Sequence, residues 1–137
     1  MLDKERVLGK VAELDSYLEE LRQIVPDTLA AYQKIEKKRS LERLLQLSIE
    51  CVIDICKLLV SGLKLGVPSE ENDIFEKLRA QGLLSKPIVT LLQDMRAFRN
   101  ILFHEYATLK DEIVFEKVQN HRVDFQKVKK AILKVLY

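Results

Sequence analysis

The side chains best suited to acid–base or phosphate chemistry lie together in one stretch, RAFRNILFHEYATLK. It contains Arg96, Arg99, Asn100, His104 and Tyr106, and His104 is one of only two histidines in the chain. A histidine titrates near neutral pH, so it can both take up and release a proton. The planar fork of an arginine grips two phosphate oxygens at once. These residue types indicate acid–base chemistry beside a phosphate group, provided that the fold brings them together.

The spacing within this stretch leaves several arrangements open. On a regular helix Arg96, Asn100 and His104 share one face, whereas Arg99 and Tyr106 lie on another. Arg99 and His104 are separated by roughly 140° around the helix. They act together only if the Arg99 side chain bends round, the helix loosens near its end, or a second copy of the chain supplies one of them. In the alternative interpretation, His104 and Tyr106 are helix-end residues satisfied by local hydrogen bonds, and the arginines pair with acids.

The acids predicted to hold these arginines lie on the central helix. Glu50 and Asp54 share one face and stand among Ile, Val and Cys residues in the sequence. Carboxylates in apolar surroundings need hydrogen bonds or ion pairs. We therefore predict that Glu50 and Asp54 hold arginines from a neighbouring helix, with Asp94 as a further acid partner. A supporting role for the two carboxylates in catalysis is the alternative.

The chain lacks the short motifs of several enzyme classes. HExxH, paired CxxC, P-loop and GxGxxG sequences are absent, and no ExxH pairs are present for a di-metal bundle. The spacing of Cys51 and Cys56 puts them on different sides of a helix, which favours reduced thiols in the core. We therefore expect neither a metal nor a cofactor.

Helical periodicity runs along the whole chain, and no segment shows the alternation of a strand. We predict an all-α fold, an up-and-down four-helix bundle with one or two extra short helices, as a single domain over residues 1–137. Proline and glycine positions set most of the limits. The first predicted helix covers about residues 3–24 and the second about 28–65. The polar first part of the second is either a separate short piece or a mobile extension. A short helix closed by Gly82, a helix that starts at Lys86, and two last segments at about 112–118 and 124–136 complete the prediction.

Composition is typical of a soluble helical protein, with 47% hydrophobic and 32% charged residues. No apolar run is long enough to cross a bilayer and no targeting segment is visible, so we expect a cytoplasmic protein with no membrane partner. The net charge of +2 requires any nucleic-acid affinity to come from local clusters. Arg96 could enlarge such a footprint together with Lys37, Lys38, Arg39 and Arg43, although a solvated helix face is the more frequent reason for a basic run.

A resemblance to a known family is carried by RNILFHEY, residues 99–106. It resembles the Arg-Asn-x3-His-x-Tyr signature of the HEPN superfamily, particularly the HepT-like toxins. Two longer segments extend the resemblance over most of the chain: residues 40–60 look like the family's central helix, and residues 74–100 look like the two helices that lead to the signature. The resemblance implies a helical bundle that forms a two-fold homodimer, with the Arg and His of both subunits at the interface.

The same resemblance implies roles for individual residues. His104 would be the general acid and base of a metal-independent ribonuclease, and Arg99 would hold the phosphate. Asn100 would orient His104 or the RNA backbone. Tyr106 is similar to the tyrosine that a partner minimal nucleotidyltransferase, the antitoxin of a type VII toxin–antitoxin pair, modifies with AMP. RNA and this antitoxin are therefore the expected partners.

One residue departs from the family pattern. Members often carry glycine after the histidine, and this chain has Glu105. A neighbouring acid raises the pKa of a histidine and weakly opposes a phosphate. The alternative hypothesis is accordingly a non-catalytic HEPN subunit, which binds nucleotide or docks against the nucleotidyltransferase.

Overall fold

The computed structural model of the chain describes residues 2–104 and 110–137, without the side chains of residues 103 and 104. Within these ranges the chain forms six helices and no strand, which confirms the predicted all-α fold. The four long helices are α1, α3, α5 and α6, and the short ones are α2 and α4. Their limits are α1 Lys4–Ile24, α2 Leu29–Tyr32, α3 Ile35–Gly62, α4 Glu71–Ala80, α5 Lys86–His104 and α6 Asp111–Leu136. None of these helices is both long and apolar enough to span a bilayer.

The helix α3 forms the centre of the bundle, and α1 packs along it. The end of α3 lies close to the N-terminal segment, which explains why α3 ends on a glycine. A Cβ atom at Gly62 would lie 2.7 Å from Leu2 Cδ1 and 2.9 Å from Leu2 Cα, so any larger residue would displace that segment. A short helix, α2, precedes α3, and Thr28 caps it by accepting a hydrogen bond from the Ala31 amide at 3.1 Å. Most of the polar run expected as a separate piece or a mobile extension instead forms the first turns of α3, which begins at Ile35.

Both cysteines lie on α3 and are buried in the core of the bundle. Cys51 and Cys56 are buried free thiols, as the spacing predicted. The thiol of Cys51 donates to the Lys10 carbonyl oxygen at 3.2 Å and so ties α3 to α1. Burial raises the pKa of the Cys51 thiol to about 11 and that of Cys56 to about 12. Both side chains therefore serve as small apolar groups.

A tight turn sets α4 and α5 side by side. Gly82, just after α4, has a φ of +71°, a left-handed conformation that suits glycine. The inner face of α4 is fully buried through Ile74, Phe75 and Leu78. Contacts of α4 with both α3 and α5 hold this short helix in place. Its first turn consequently lies beside the later turns of α5, where the candidate site begins.

The C-terminal segment differs from the prediction. Two helices were expected at about 112–118 and 124–136, but α6 is one continuous helix, Asp111–Leu136. The polar run between the two expected segments concealed a core position. His121 fills that position, one turn after Val118 and one turn before Phe125, and it is only 7% exposed. A histidine therefore continued an apolar stripe that hydrophobicity alone showed as interrupted.

The buried His121 also borders a small cavity. The cavity has a volume of about 70 Å³ and lies between α3, α5 and α6, lined mainly by apolar side chains. The Nδ1 atom of His121 is hydrogen-bonded to the Val118 carbonyl oxygen, and the ring meets Phe125 edge-on with centroids 6.4 Å apart. Burial lowers the pKa of His121, against the opposing effect of the bond to Val118, and the nearby Arg122 lowers it further. Burial therefore favours the neutral form of this imidazole in the folded protein.

The burial of His121 predicts a pH-dependent stability. Because its pKa in the folded state lies below the unfolded value, the stabilisation is complete above about pH 6.5 and is lost as the pH falls further. One proton contributes at most about 1.4 kcal/mol per pH unit to the slope of the unfolding free energy. We expect His121→Gln to flatten this slope below about pH 6.5 in urea titrations. The control His104→Gln removes the other histidine, and equal slopes in wild type and His121→Gln would contradict the assignment.

Candidate functional site

The site is built where α4 and α5 meet. The helix α5 carries Arg96, Arg99 and Asn100 in its later turns and ends at His104. The first turn of α4 places Glu71 opposite the two arginines. A carboxylate near a helix N-terminus also suits the helix dipole. The turn at Gly82 therefore brings the carboxylate of Glu71 into contact with two arginines that are distant from it in sequence.

Glu71 binds both arginines at once. Its Oε1 atom accepts from Arg99 Nη2 at 2.5 Å and from Arg96 Nε at 2.9 Å. Its Oε2 atom accepts from Arg99 Nη1 at 3.2 Å. The side chains are 25% exposed for Glu71 and Arg96 and 15% for Arg99, so water screens these contacts less than at an open surface. Hydrogen bonds from Arg99 lower the pKa of Glu71, those from Arg96 add to the effect, and burial opposes it.

Asn100 completes the contacts of Arg99. Its Oδ1 atom accepts from Arg99 Nη2 at 2.8 Å and from Arg99 Nε at 3.2 Å. These neighbouring residues leave the helix in directions about 100° apart, and the long arginine bends to meet the amide. The structure thus brings together Arg96, Arg99 and Asn100 of the predicted set, around Glu71.

The other half of the predicted motif is only partly described. The backbone of α5 is helical through His104, so the helix that separates Arg99 from His104 is continuous. It therefore keeps the two residues roughly 140° apart around its axis. The His104 side chain and all of Tyr106 lie outside the described residues. Their predicted roles remain predictions.

The predicted partners of the arginines were wrong. Glu50 accepts a hydrogen bond from Gln46 Nε2 at 3.2 Å, and Asp54 lies 3.8 Å from Lys10 Nζ with 48% of its side chain exposed. In the described part of the chain, neither these acids nor Asp94 forms an ion pair with an arginine. The apolar residues beside Glu50 and Asp54 in sequence point to other faces of α3, because successive residues are about 100° apart. Sequence neighbours were mistaken for spatial ones.

Glu71 is the residue that sequence reasoning missed. A signal for it was present, because Glu71 and Arg96 lie about equally far along the chain from the turn at residues 81–85. In a helical hairpin such positions meet. The hairpin pattern could have identified the pair, whereas the local surroundings of the acid could not.

The predicted basic footprint is largely engaged within the fold. Lys37 Nζ donates to the Ile24 carbonyl at 2.9 Å, and Lys38 pairs with Asp111 at 2.6 Å. Arg39 pairs with Glu42, and Arg43 Nη1 donates to Gln46 at 3.3 Å. Arg39 and Arg43 nevertheless line a groove of about 300 Å³ that reaches Leu102 of α5. Glu42 and Gln46 also line this groove, which lies next to the end of the motif helix.

Across the described residues, no group of three or more His, Cys, Asp or Glu side chains is placed to hold a metal ion.

A sequence model of the family described as ribonuclease HepT-like matches residues 14–132. The chain belongs to the HepT-like family. Membership confirms the resemblance read from RNILFHEY and extends it from the middle of α1 to the last turns of α6. By contrast, none of the curated proteins shows significant sequence similarity to the chain.

Solved structures support the membership. This HepT-like chain is similar to a chain of a toxin–antitoxin crystal structure with AMP-PNP, at 28% identity and a TM-score of 0.84, covering 92% of this chain and 96% of that one. It is equally similar to a chain of the tri-AMPylated Shewanella oneidensis HEPN toxin in complex with MNT antitoxin, at 28% identity, a TM-score of 0.84, and coverage of 92% and 95%. The Bacillus subtilis cytosolic protein YutE, of unknown function, shares the fold at 19% identity and a TM-score of 0.78, covering 96% and 88%.

Proposed function

We propose that this HepT-like protein is the toxin of a toxin–antitoxin pair and cleaves RNA without a metal ion, with Arg99 and His104 as catalytic residues. The observation that carries the proposal is the family match over residues 14–132, within which the Arg-Asn-x3-His signature occupies the end of α5. The MNT-bound toxin at 28% identity gives further support. The pairing of Arg99 with both Asn100 and Glu71 supports a guanidinium held in a fixed orientation.

The proposed reaction uses the 2′-hydroxyl of the RNA as its nucleophile. His104 takes the proton from this hydroxyl, the oxygen attacks the adjacent phosphorus, and the bond from phosphorus to the 5′-oxygen breaks. The leaving 5′-oxygen receives a proton from an imidazolium, so the products carry a 2′,3′-cyclic phosphate and a 5′-hydroxyl. Arg99 stabilises the charge that develops on the phosphate oxygens. No metal is needed, because histidine can act as both base and acid near neutral pH.

The proposed active form is a homodimer. On the continuous helix α5, Arg99 and His104 are roughly 140° apart, and the Arg99 side chain extends to Glu71 on α4. Two copies that meet about a two-fold axis bring together groups that one helix separates. We therefore propose that the cleft between two copies holds the Arg and His residues of both.

Tyr106 is the proposed control point, modified by a partner nucleotidyltransferase of the MNT type. A similar toxin carries AMP groups in its antitoxin complex, and another toxin–antitoxin structure contains AMP-PNP. Tyr106 follows His104 by two residues, so an attached AMP would place bulk and negative charge where the RNA phosphate must bind. The modification would therefore block the substrate without changing the bundle.

A second candidate function is a non-catalytic subunit that binds nucleotide or docks against the transferase. The contacts of Arg99 favour it, because Glu71 and Asn100 already occupy the guanidinium. The acidic Glu105 after the histidine favours it as well. Cleavage assays separate the two candidates.

Removal of the proposed acid and base should abolish RNA cleavage. We expect His104→Ala to lower the cleavage rate by on the order of 100-fold or more, since positioned proton transfer contributes that much. The assay uses Tyr106-unmodified protein, total RNA and EDTA, with product ends identified by mass spectrometry. His121→Gln, which alters the buried histidine of α6, serves as the matched control. If wild type and His104→Ala leave the RNA equally intact, the protein is the non-catalytic subunit.

The oligomeric state provides a separate measurement. Sedimentation velocity at micromolar concentration should show a species of twice the 15.9 kDa chain mass. A monomer alone at that concentration would disprove the shared cleft, whatever the cleavage assays show.

Modification by the partner should depend on one tyrosine. Incubation with the cognate nucleotidyltransferase and ATP should add one or more AMP units to the wild type, detected by intact-protein mass spectrometry, and should stop RNA cleavage. Tyr106→Phe should remain unmodified and active, because it lacks the accepting hydroxyl. Tyr137→Phe, which changes a tyrosine that is 84% exposed, should be modified normally. Modification of Tyr106→Phe at the wild-type rate would place the target elsewhere.

A further inference from the structure

Arg96 and Arg99 form a pair, so the site has two arginines that can contact a phosphate and not one. Arg96 and Arg99 are three residues apart on α5, and both bind the carboxylate of Glu71. Two guanidiniums and one carboxylate leave a net charge of +1 in a partly buried place. Without the carboxylate the two cations would repel each other and turn towards water. Glu71 is therefore the group that keeps both arginines in place.

The hydrogen bonds of Arg99 occupy both of its paired edges. A guanidinium has five N–H groups, which form an end edge between Nη1 and Nη2 and a side edge between Nε and Nη2. Glu71 occupies the end edge, and Asn100 occupies the side edge. A phosphate can grip Arg99 with two bonds only by displacing one of these partners. The Asn100 amide is the weaker partner of the two, because it carries no net charge to attract the guanidinium, whereas the Glu71 carboxylate does.

Arg96 has the opposite pattern. Its Nε atom donates to Glu71 at 2.9 Å, and its Nη1 and Nη2 atoms have no hydrogen-bond partner among the described residues. The end edge of Arg96 is thus open, on a side chain that is 25% exposed. An oxyanion reaches this edge without breaking any contact described in the free protein.

The helix that carries Glu71 is anchored in the core. Glu71 stands in the first turn of α4, which is fixed by the buried Ile74, Phe75 and Leu78. The start of the helix is tied down by Asp73, whose Oδ2 accepts from the Ser69 amide at 3.0 Å. The carboxylate therefore has little freedom to follow a moving arginine.

We propose that Glu71 is a positioning residue for a two-arginine phosphate site, in which Arg96 supplies the open paired edge and Arg99 supplies the edge released by Asn100. The proposal rests on the proposed function and names the residues that bind the scissile or a neighbouring phosphate. It assigns Arg96 a direct contact with the substrate and gives Glu71 a role that acts through the two arginines.

The test uses substitutions that separate the position of the carboxylate from its charge. Glu71→Asp keeps the charge and withdraws the carboxylate by one methylene, so we expect kcat to fall on the order of 10-fold to 100-fold. We expect the kcat of Glu71→Gln to fall at least as far. Arg96→Lys, which loses the paired edge and keeps the charge, should weaken RNA binding in fluorescence anisotropy about tenfold, measured in the His104→Ala background to prevent cleavage. Glu70→Gln is the control, because Glu70 is an exposed neighbour whose side chain forms no capping bond.

A second readout does not depend on cleavage. Titration with inorganic pyrophosphate should shift the Nε–H NMR signals of both arginines in the wild type, with weaker binding in Glu71→Asp and Arg96→Lys. Normal cleavage by Glu71→Asp, or tighter RNA binding by Glu71→Gln, would overturn the proposal, the latter by making Glu71 a competitor of phosphate. If the wild type cleaves no RNA, the proposed function fails, while the pyrophosphate titration still decides whether the arginine pair exists as an anion site.

Discussion

The carboxylate of Glu71, shared by Arg96 and Arg99, is the contact on which the site depends. Three charged groups lie partly buried between α4 and α5, and such groups must be paired to remain there. Their pairing fixes how far along α5 the short helix α4 can lie, because a shift by one residue would turn Glu71 away from both arginines. The turn at Gly82 and the buried face of α4 make this placement possible. The fold therefore supplies the orientation of Arg99, which its own helix does not determine.

This constraint also separates the two halves of the HepT-like motif. The Glu71 carboxylate holds the Arg99 side chain towards α4, while position 104 of the continuous helix lies roughly 140° around its axis from position 99. The signature is compact in sequence, yet positions 99 and 104 lie on different sides of one continuous helix. Proton transfer and charge stabilisation must act on the same phosphate, so this separation supports the proposal that two copies share one cleft.

Periodicity in the sequence predicted most of the helices of the bundle but few of the contacts between them. The stripe of α1 and the proline and glycine boundaries of α4 and α5 are local signals, and the observed helices follow them. The division of α6 failed because His121 occupies a core position that only the folded neighbours reveal. Arg99, Asn100 and His104 were found as a local motif. Glu71 was missed in favour of Glu50 and Asp54, because an ion pair across 28 residues depends on how helices pack and not on the residues beside each acid.

The hydrogen-bond geometry of the arginines has a consequence for how the site changes when it binds an anion. Both paired edges of Arg99 are occupied within the protein, whereas the Nη1 and Nη2 atoms of Arg96 have no hydrogen-bond partner in the part of the chain that the structure describes. An approaching phosphate therefore meets Arg96 first and gains Arg99 only when Asn100 gives way. That exchange replaces a bond to a neutral amide with a bond to an anion, so it favours a ligand with two charged oxygens over a neutral one. A site organised in this way discriminates by charge before any base is recognised, as a nuclease that acts on the RNA backbone requires.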